Sequence, residues 1–202
     1  MGTVPAGTAR QALRRELRAR RRAIQGAARR QAARQLAQQV DAARLLRPGS
    51  RVGLYLATAE EIDTAPLLHL ARTRGCRIAL PRIVSLRHDR MRFHDWAGEV
   101  KRGAFGINEP HGGSVRAARE LDVVFLPLVG FDMQGNRIGM GRGFYDRHFA
   151  HRLHAGRYRR PLLVGLAYDV QQVASLPRAA HDVPLDAIVT QSSVRRFHGS
   201  GT

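Results

Sequence analysis

Residues 51–81 read RVGLYLATAEEIDTAPLLHLARTRGCRIALP, and this stretch decides the fold class. Its opening run, RVGLYL, and its closing run, CRIALP, each have the apolar character and the length of a strand. Between them, Thr64 and Pro66 are typical of a helix start and Gly75 of a helix end, which predicts a helix over residues 64–74. A strand, a helix and a strand within about 30 residues indicate a parallel βαβ unit.

The rest of the chain continues this alternation of strands and helices. Residues 122–127, DVVFLP, are predicted to form a strand, and their apolar run VVFL suits burial on both faces of a parallel sheet. Strands are also predicted over 162–167 and 185–189, a helix over 144–153, and a hairpin or edge strand near 91–93. The sequence therefore predicts an α/β fold with a mostly parallel sheet.

Residues 9–46 differ from this pattern because arginines alternate there with apolar side chains at helical spacing. Gly26 divides the segment into two predicted helices. The α/β core then spans residues 51–190, and residues 195–202 are predicted to form a frayed tail. A chain of 202 residues with 44% hydrophobic content suits one sizeable core, so we expect a single domain over 1–202.

The charge is strongly positive, with 34 lysines and arginines against 16 acidic residues and a formal net charge of +18. This balance favours an anionic partner, and the charge alone leaves open whether that is nucleic acid, an acidic membrane or a polyanionic small molecule. A single cysteine, Cys76, excludes an internal disulfide framework. Because neither a membrane-length apolar run nor a secretory signal is evident, we expect a cytoplasmic protein that does not bind membranes.

The segment 137–146 reads RIGMGRGFYD, in which three glycines alternate with larger residues. Glycines let backbone amides approach an anion, and Arg137 and Arg142 are suited to phosphate oxygens. Asp146 is suited to a metal ion that accompanies a nucleotide, or to the positive end of the helix that follows. The segment matches neither the Walker A loop nor the dinucleotide fingerprint, so by itself it is equally consistent with a plain connecting loop.

Two acidic segments are ambiguous in the same way. Glu60, Glu61 and Asp63 follow a predicted strand, at the edge where ligands of open α/β sheets collect, but they also suit a solvated helix start. Asp182 and Asp186 precede another strand, and they suit either a turn or an oxygen-rich metal site. The sequence of each segment does not distinguish between its two interpretations.

Several short motifs occur in a fixed order along the chain. From the N-terminus they are ARQALR at 9–14, YL followed by EIDT within 55–64, LPR at 80–82, Met91 with Trp96, FGINEP at 105–110, FDMQGNR at 131–137, RIGMGRGFYD at 137–146, and HDVPLD at 181–186. This ordered set resembles the 5-formyltetrahydrofolate cyclo-ligases, which are also called 5,10-methenyltetrahydrofolate synthetases. Each motif is weak alone, and their order makes the resemblance specific.

The resemblance implies a fold and an activity. The fold would be a three-layer α/β/α sandwich with a Rossmann-like, mostly parallel sheet on which the N-terminal helices pack. The enzyme would use ATP and Mg²⁺ to convert 5-formyltetrahydrofolate, including its polyglutamylated forms, to 5,10-methenyltetrahydrofolate. ADP and phosphate would be released after phosphorylation of the formyl oxygen. The resemblance further implies a cytoplasmic monomer that serves one-carbon metabolism.

The resemblance also implies roles for particular residues. Arg137 and Asp146 would be catalytic, and Asp146 and Asp182 would hold Mg²⁺. The folate would contact Thr58, Asp63, Met91, Trp96 and Tyr145. ATP would contact Arg10, Arg14, Arg137, Ile138, Gly139, Met140, Gly141, Arg142, Gly143, Phe144 and Tyr145.

The chain departs from the family pattern at four of these positions. Family members commonly carry lysine where Arg10 stands, often tyrosine where Phe144 stands, and other residues at Met140 or Arg142. The alternative interpretation is a catalytically inactive basic relative that binds nucleic acid. The retained acidic residues and glycines favour the enzyme, and an aromatic content of 6% leaves few platforms on which bases could stack, so binding of nucleic acid is not expected.

Overall fold

A computed structural model of the protein describes residues 6–154 and 160–197. Within these residues the helices are α1 (Ala6–Arg22), α2 (Gly26–Ala42), α3 (Ala65–Thr73) and α4 (Phe144–His148). The strands are β1 (Arg51–Gly53), β2 (Arg77–Ser85), β3 (Arg90–Asp95), β4 (Val100–Arg102), β5 (Asn108–Pro110), β6 (Val115–Arg116), β7 (Val123–Pro127), β8 (Gly130–Phe131), β9 (Arg137–Ile138), β10 (Leu162–Leu166), β11 (Ala187–Val189) and β12 (Val194–Arg196).

The main sheet of the described residues contains eight strands in the order β12-β11-β10-β7-β1-β2-β3-β6. The strands from β11 to β2 pair in parallel, and the strands at both edges pair antiparallel. The predicted βαβ unit is confirmed as β1, α3 and β2, and β2 continues into an antiparallel hairpin with β3. The mostly parallel α/β fold predicted from the sequence is therefore confirmed.

Strand β7 shows why the fold has three layers. Successive side chains of a strand point to opposite faces of its sheet. Val123 and Phe125 accordingly pack in the core that α2 and α3 cover. Val124 and Leu126 pack in a second core on the other face, together with Phe149, which directly follows α4. Both faces of the sheet are thus buried under helical segments.

Helix α3 is fixed by its termini, although its N-terminus differs from the prediction. The hydroxyl of Thr64 donates to the carbonyl of Tyr55 at 2.7 Å instead of capping the helix. The side chain of Asp63 performs the capping role, since its Oδ1 accepts from the amide of Ala65 at 3.0 Å. At the other end, Gly75 adopts a φ of +71°, the left-handed conformation that commonly ends a helix.

The C-terminal part differs from the sequence prediction in two places. Helix α4 ends at His148 and a 3₁₀ turn over Ala150–Leu153 follows it, so the predicted single helix over 144–153 is wrong. The predicted frayed tail is wrong for its first residues, because β12 pairs antiparallel with β11 at the edge of the sheet. The remaining tail residues, 198–202, lie outside the described part of the chain. Among the described helices, none combines the length and the apolar character needed to cross a bilayer.

His148 links the stability of the second core to pH. Its ring lies 5.4 Å from that of Phe93 and 4.8 Å from that of Phe149, measured between centroids. This burial lowers the pKa of His148 from 6.5 to about 4. Between pH 6.5 and about pH 4, the unfolded chain binds a proton on His148 that the folded chain does not bind. The free energy of unfolding therefore falls as the pH falls. At about pH 5 this loss is roughly 2 kcal/mol.

Urea unfolding of the wild type and of His148→Leu at about pH 7.5 and about pH 5 measures this linkage. The wild type is expected to lose roughly 2 kcal/mol more than the variant over this interval, because leucine fills the same core position without titrating. Equal losses in the two proteins would show that His148 does not carry the effect.

Candidate active site

A cavity of about 1080 Å³ lies where three neighbouring parallel strands reach their carboxyl ends. The chain after β1 contributes Tyr55 and Thr58, β2 contributes Pro81, and the chain at the end of β7 contributes Pro127 and Leu128. Open α/β sheets commonly bind ligands at this edge. Helix α1 and the glycine loop, 139–143, form further parts of the wall, together with residues from β3, β5, α4 and the segment before β11.

The glycine loop connects β9 to α4 along one wall of the cavity. Gly141 has a φ of +105° and Gly143 a φ of +64°, conformations that other residues rarely adopt. The guanidinium of Arg14 in α1 donates from Nε to the carbonyl of Gly139 at 2.9 Å. Contact between α1 and this loop therefore places the N-terminal helix at the cavity, and the contact of Arg14 with ATP stays a prediction.

Two ion pairs lie at the cavity, and the first of them joins the N-terminal helix to the segment before β11. Arg10 Nη2 lies 3.1 Å from Asp182 Oδ2, and Arg137 Nη2 lies 2.5 Å from Asp146 Oδ1. The amide of Val183 also donates to Asp146 Oδ1, at 3.2 Å. The structure thus brings together two carboxylates, at positions 146 and 182, that lie 36 residues apart in the sequence.

The oxygen atoms of these two carboxylates form a donor set that suits Mg²⁺. Asp146 Oδ1 and Asp182 Oδ2 are engaged by arginines, and each carboxylate keeps a second oxygen without a hydrogen bond among the described residues. Magnesium typically takes one or two carboxylates together with substrate phosphates and water. In the described part of the chain, no cluster of three or more His, Cys, Asp or Glu side chains is arranged for a metal. The residues therefore fit an ion that arrives with phosphate ligands.

Two further carboxylates line the cavity without an arginine partner among the described residues. Glu61 accepts from the amide of Thr58 at 2.8 Å, and Arg29 holds the backbone of this loop by donating to the carbonyl of Glu61 at 3.2 Å. Glu109 is 5% exposed and accepts from the amide of Ile83 at 3.1 Å. Both carboxylates remain available as acceptors for a ligand with N–H groups.

Most of the residues that the sequence analysis selected line this cavity, and three do not. Asp63 caps the start of α3, and its Oδ2 lies 3.7 Å from Arg29 Nη1. Trp96 donates from Nε1 to the carbonyl of Glu99 at 3.0 Å. Ile138 is buried in a small core. The selected residues that do line the cavity are Arg10, Arg14, Thr58, Met91, Arg137, Gly139, Met140, Gly141, Arg142, Gly143, Phe144, Tyr145, Asp146 and Asp182.

Arg142 makes contacts that its place in the glycine loop did not predict. Its Nη2 lies 2.6 Å from Asp89 Oδ1 at the tip of the β2–β3 hairpin. Its guanidinium also lies 5.3 Å from the ring centroid of Phe105 and 5.8 Å from that of Phe144. The ion pair therefore joins the loop to the hairpin, and the cation–π contacts join it to the turn at Phe105 and to the start of α4.

Among the cavity residues that the sequence analysis did not select as site residues are Tyr55, Glu61, Phe105 and Glu109. All four lie inside motifs that the sequence analysis quoted, YL followed by EIDT and FGINEP. The signal was therefore present as a motif, but nothing in the motif indicated which of its side chains face the cavity.

A sequence model described as the 5-formyltetrahydrofolate cyclo-ligase family matches residues 6–191. The chain belongs to this family. The cyclo-ligase of Haemophilus influenzae is 36% identical over 143 residues, which cover 69% of this chain and 74% of that protein. The Escherichia coli K12 cyclo-ligase is 35% identical over 147 residues, covering 71% and 79%. The 5,10-methenyltetrahydrofolate synthetase of Aquifex aeolicus has a similar structure, with a TM-score of 0.79, 27% identity, and coverage of 96% of this chain and 95% of that one.

Membership of the cyclo-ligase family confirms the resemblance stated from the motifs. The Aquifex structure covers the N-terminal helices as well as the sheet, so α1 and α2 are part of the shared fold. The cavity described above is therefore the candidate active site of a cyclo-ligase-family enzyme.

Proposed function

We propose that this chain is an ATP- and Mg²⁺-dependent 5-formyltetrahydrofolate cyclo-ligase, which forms 5,10-methenyltetrahydrofolate, ADP and phosphate. One observation carries the proposal. In a chain of this family, a single cavity combines arginines and a glycine loop with two carboxylates that lack an arginine partner among the described residues. Arginines and loop amides suit a triphosphate, and free carboxylates suit the N–H edge of a pterin.

We assign the triphosphate of ATP to the side of the cavity that α1 and the glycine loop form, which we call the phosphate side. Arg10, Arg14 and Arg137 line the cavity, and together with the amides of residues 139–143 they provide donors for phosphate oxygens. The pairing of Arg10 with Asp182 and of Arg137 with Asp146 keeps both guanidinium groups in place before a ligand binds. In phosphoryl transfer, such positioned positive charge supplies most of the catalysis.

We assign the folate to the side of the cavity that carries Glu61, Glu109 and apolar side chains. Glu61 and Glu109 are suited to the amino and N–H groups of the pterin, and Met91 and Tyr145 supply apolar and stacking surface. Asp63 and Trp96 are not retained in this role, because neither lines the cavity. Thr58 lies beside Glu61 and stays a proposed contact.

The proposed reaction begins at the formyl group. An N5-formyl amide is a poor electrophile, and its oxygen is a poor leaving group. Transfer of the γ-phosphoryl group of ATP to the formyl oxygen gives an iminophosphate and ADP. N10 then attacks the formyl carbon and loses its proton, and the carbon–oxygen bond breaks to release phosphate. Arg137 stabilises the negative charge on the transferring phosphoryl group.

Asp146 and Asp182 would hold the Mg²⁺ ion of the nucleotide. When bound, the ion neutralises charge on the phosphate oxygens. Action as a monomer in the cytoplasm, with polyglutamylated folates among the substrates, belongs to the same proposal.

The purified protein mixed with 5-formyltetrahydrofolate, ATP and Mg²⁺ is expected to produce the near-ultraviolet absorbance of the methenyl product. ADP should form in equal amount, because one phosphoryl transfer accompanies each ring closure. Matched reactions without ATP, with a non-hydrolysable ATP analogue, or with EDTA should stay flat. No ATP-dependent increase in absorbance with intact folate would refute the proposed function.

A further inference from the structure

Tyr55 lines the cavity, and the reaction proposed above gives it no role. Its ring packs in the core under α2 and α3, and 4% of the residue is exposed. Its carbonyl accepts a hydrogen bond from Thr64 Oγ1 at 2.7 Å, which holds the residue in place. The hydroxyl, however, has no hydrogen-bond partner among the described residues. Since a buried hydroxyl without a partner is costly, this group indicates a ligand contact.

The surroundings keep this hydroxyl protonated. Burial raises the pKa of Tyr55 well above its ordinary value, and the nearby Glu61 and Tyr145 raise it further. Tyr55 Oη is therefore a hydrogen-bond donor at neutral pH. Arg21 is 3% exposed and lines the same cavity, and its Nε also lacks a partner among the described residues. This part of the wall thus offers buried donors beside the carboxylate of Glu61.

We propose that Tyr55 is a folate-binding residue, whose hydroxyl donates a hydrogen bond to the C4 carbonyl oxygen of the pterin. This inference rests on the proposed function. The pyrimidine edge of a pterin carries N–H donors next to that oxygen, so it needs acceptors and a donor side by side. Glu61 supplies the acceptors and Tyr55 the donor, and both line one cavity.

Tyr55→Phe tests the inference because it removes the hydroxyl and keeps the ring. The KM for 5-formyltetrahydrofolate is expected to rise about 3–10-fold, the effect of one neutral hydrogen bond. The kcat and the KM for ATP should stay within about twofold of the wild type, since the phosphate side of the cavity is unchanged. If the Tyr55 hydroxyl had only a structural role, Tyr55→Phe would lower the thermal midpoint of unfolding and leave the KM for the folate unchanged. Thermal unfolding is therefore measured on the same samples.

Tyr168→Phe is the matched control. Tyr168 belongs to the same core as Tyr55 and is fully buried, but it does not line the cavity, and its hydroxyl lies 3.5 Å from the carbonyl of Glu61. Its variant should therefore keep the wild-type KM for the folate. An unchanged folate KM in Tyr55→Phe overturns the inference, and so does an equal rise in the KM for ATP.

Failure of the proposed function looks different from failure of this inference. If the wild type shows no turnover, the proposed function is refuted. Equilibrium binding of 5-formyltetrahydrofolate to the wild type and to Tyr55→Phe then decides the role of Tyr55. A weaker Kd in the variant supports the contact, and equal Kd values, or binding by neither protein, overturn it.

Discussion

Asp146→Asn is expected to lower kcat in the cyclo-ligase assay on the order of 10³-fold at saturating ATP and Mg²⁺. The asparagine oxygen can still accept from Arg137 and from the amide of Val183, so the local hydrogen bonds can persist. What is lost is the negative charge that pairs with Arg137 and that would hold the metal of the nucleotide. The effect should therefore appear in turnover and in the Mg²⁺ requirement more than in folding.

Asp41→Asn provides a control with the same chemical change at a distant position. Asp41 lies on α2 and pairs with Arg74 at 2.7 Å on the surface, and it does not line the cavity. Its variant should turn over at the wild-type rate. Thermal unfolding of both variants checks that each protein is folded. A kcat for Asp146→Asn within about tenfold of the wild type would remove Asp146 from the catalytic group.

Asp132→Ala is expected to cause the largest loss of stability, roughly 4 kcal/mol. Asp132 is fully buried in the turn between β8 and β9. Its carboxylate accepts from the amides of Gln134 at 3.0 Å, Asn136 at 3.0 Å and Leu176 at 2.9 Å, and from Asn136 Nδ2 at 2.9 Å. Alanine leaves these donors without their acceptor in a buried turn, so the thermal midpoint should fall by roughly 10 °C.

Asp41→Ala is the control for this stability measurement. Because Asp41 and Arg74 are both substantially exposed, removing their pair should cost less than about 0.5 kcal/mol. Urea unfolding of the two alanine variants gives the comparison. If Asp132→Ala is destabilised by no more than Asp41→Ala, the carboxylate does not organise the turn. The turn leads directly into Arg137, so this variant should also lose activity under conditions where it is still folded.

The fold could be predicted from the sequence where the signal is local. The helix of the βαβ unit has a proline near its start and a glycine after its end, and residues 123–127 are apolar throughout, so these elements follow from short-range chemistry. Strand β12 could not be predicted in this way. Its residues, Val194–Arg196, are mostly polar and exposed, and they form a strand because β11 offers them an edge to pair with.

The candidate site was predictable only in part, because a motif is a local signal and the direction of each of its side chains is not. Residues that the motifs selected in the glycine loop, the two N-terminal arginines, Asp146 and Asp182 all line the cavity, and their roles stay predictions. Within the motif around residues 60–64, however, Glu61 lines the cavity and Asp63 does not. Trp96 likewise lies outside the cavity, whereas Phe105 lines it and contacts Arg142.

By itself, the sequence determined the α/β class, the order of the main elements and the family, because hydrophobic periodicity, helix-terminal residues and motif order are written along the chain. The tertiary structure alone decided which carboxylates line the cavity. Asp63 is taken up by the start of α3 and by Arg29, while Glu61, held by the backbone contacts of the same arginine, keeps its carboxylate for the cavity. The direction of a side chain depends on what packs around it, and those neighbours come from distant parts of the chain.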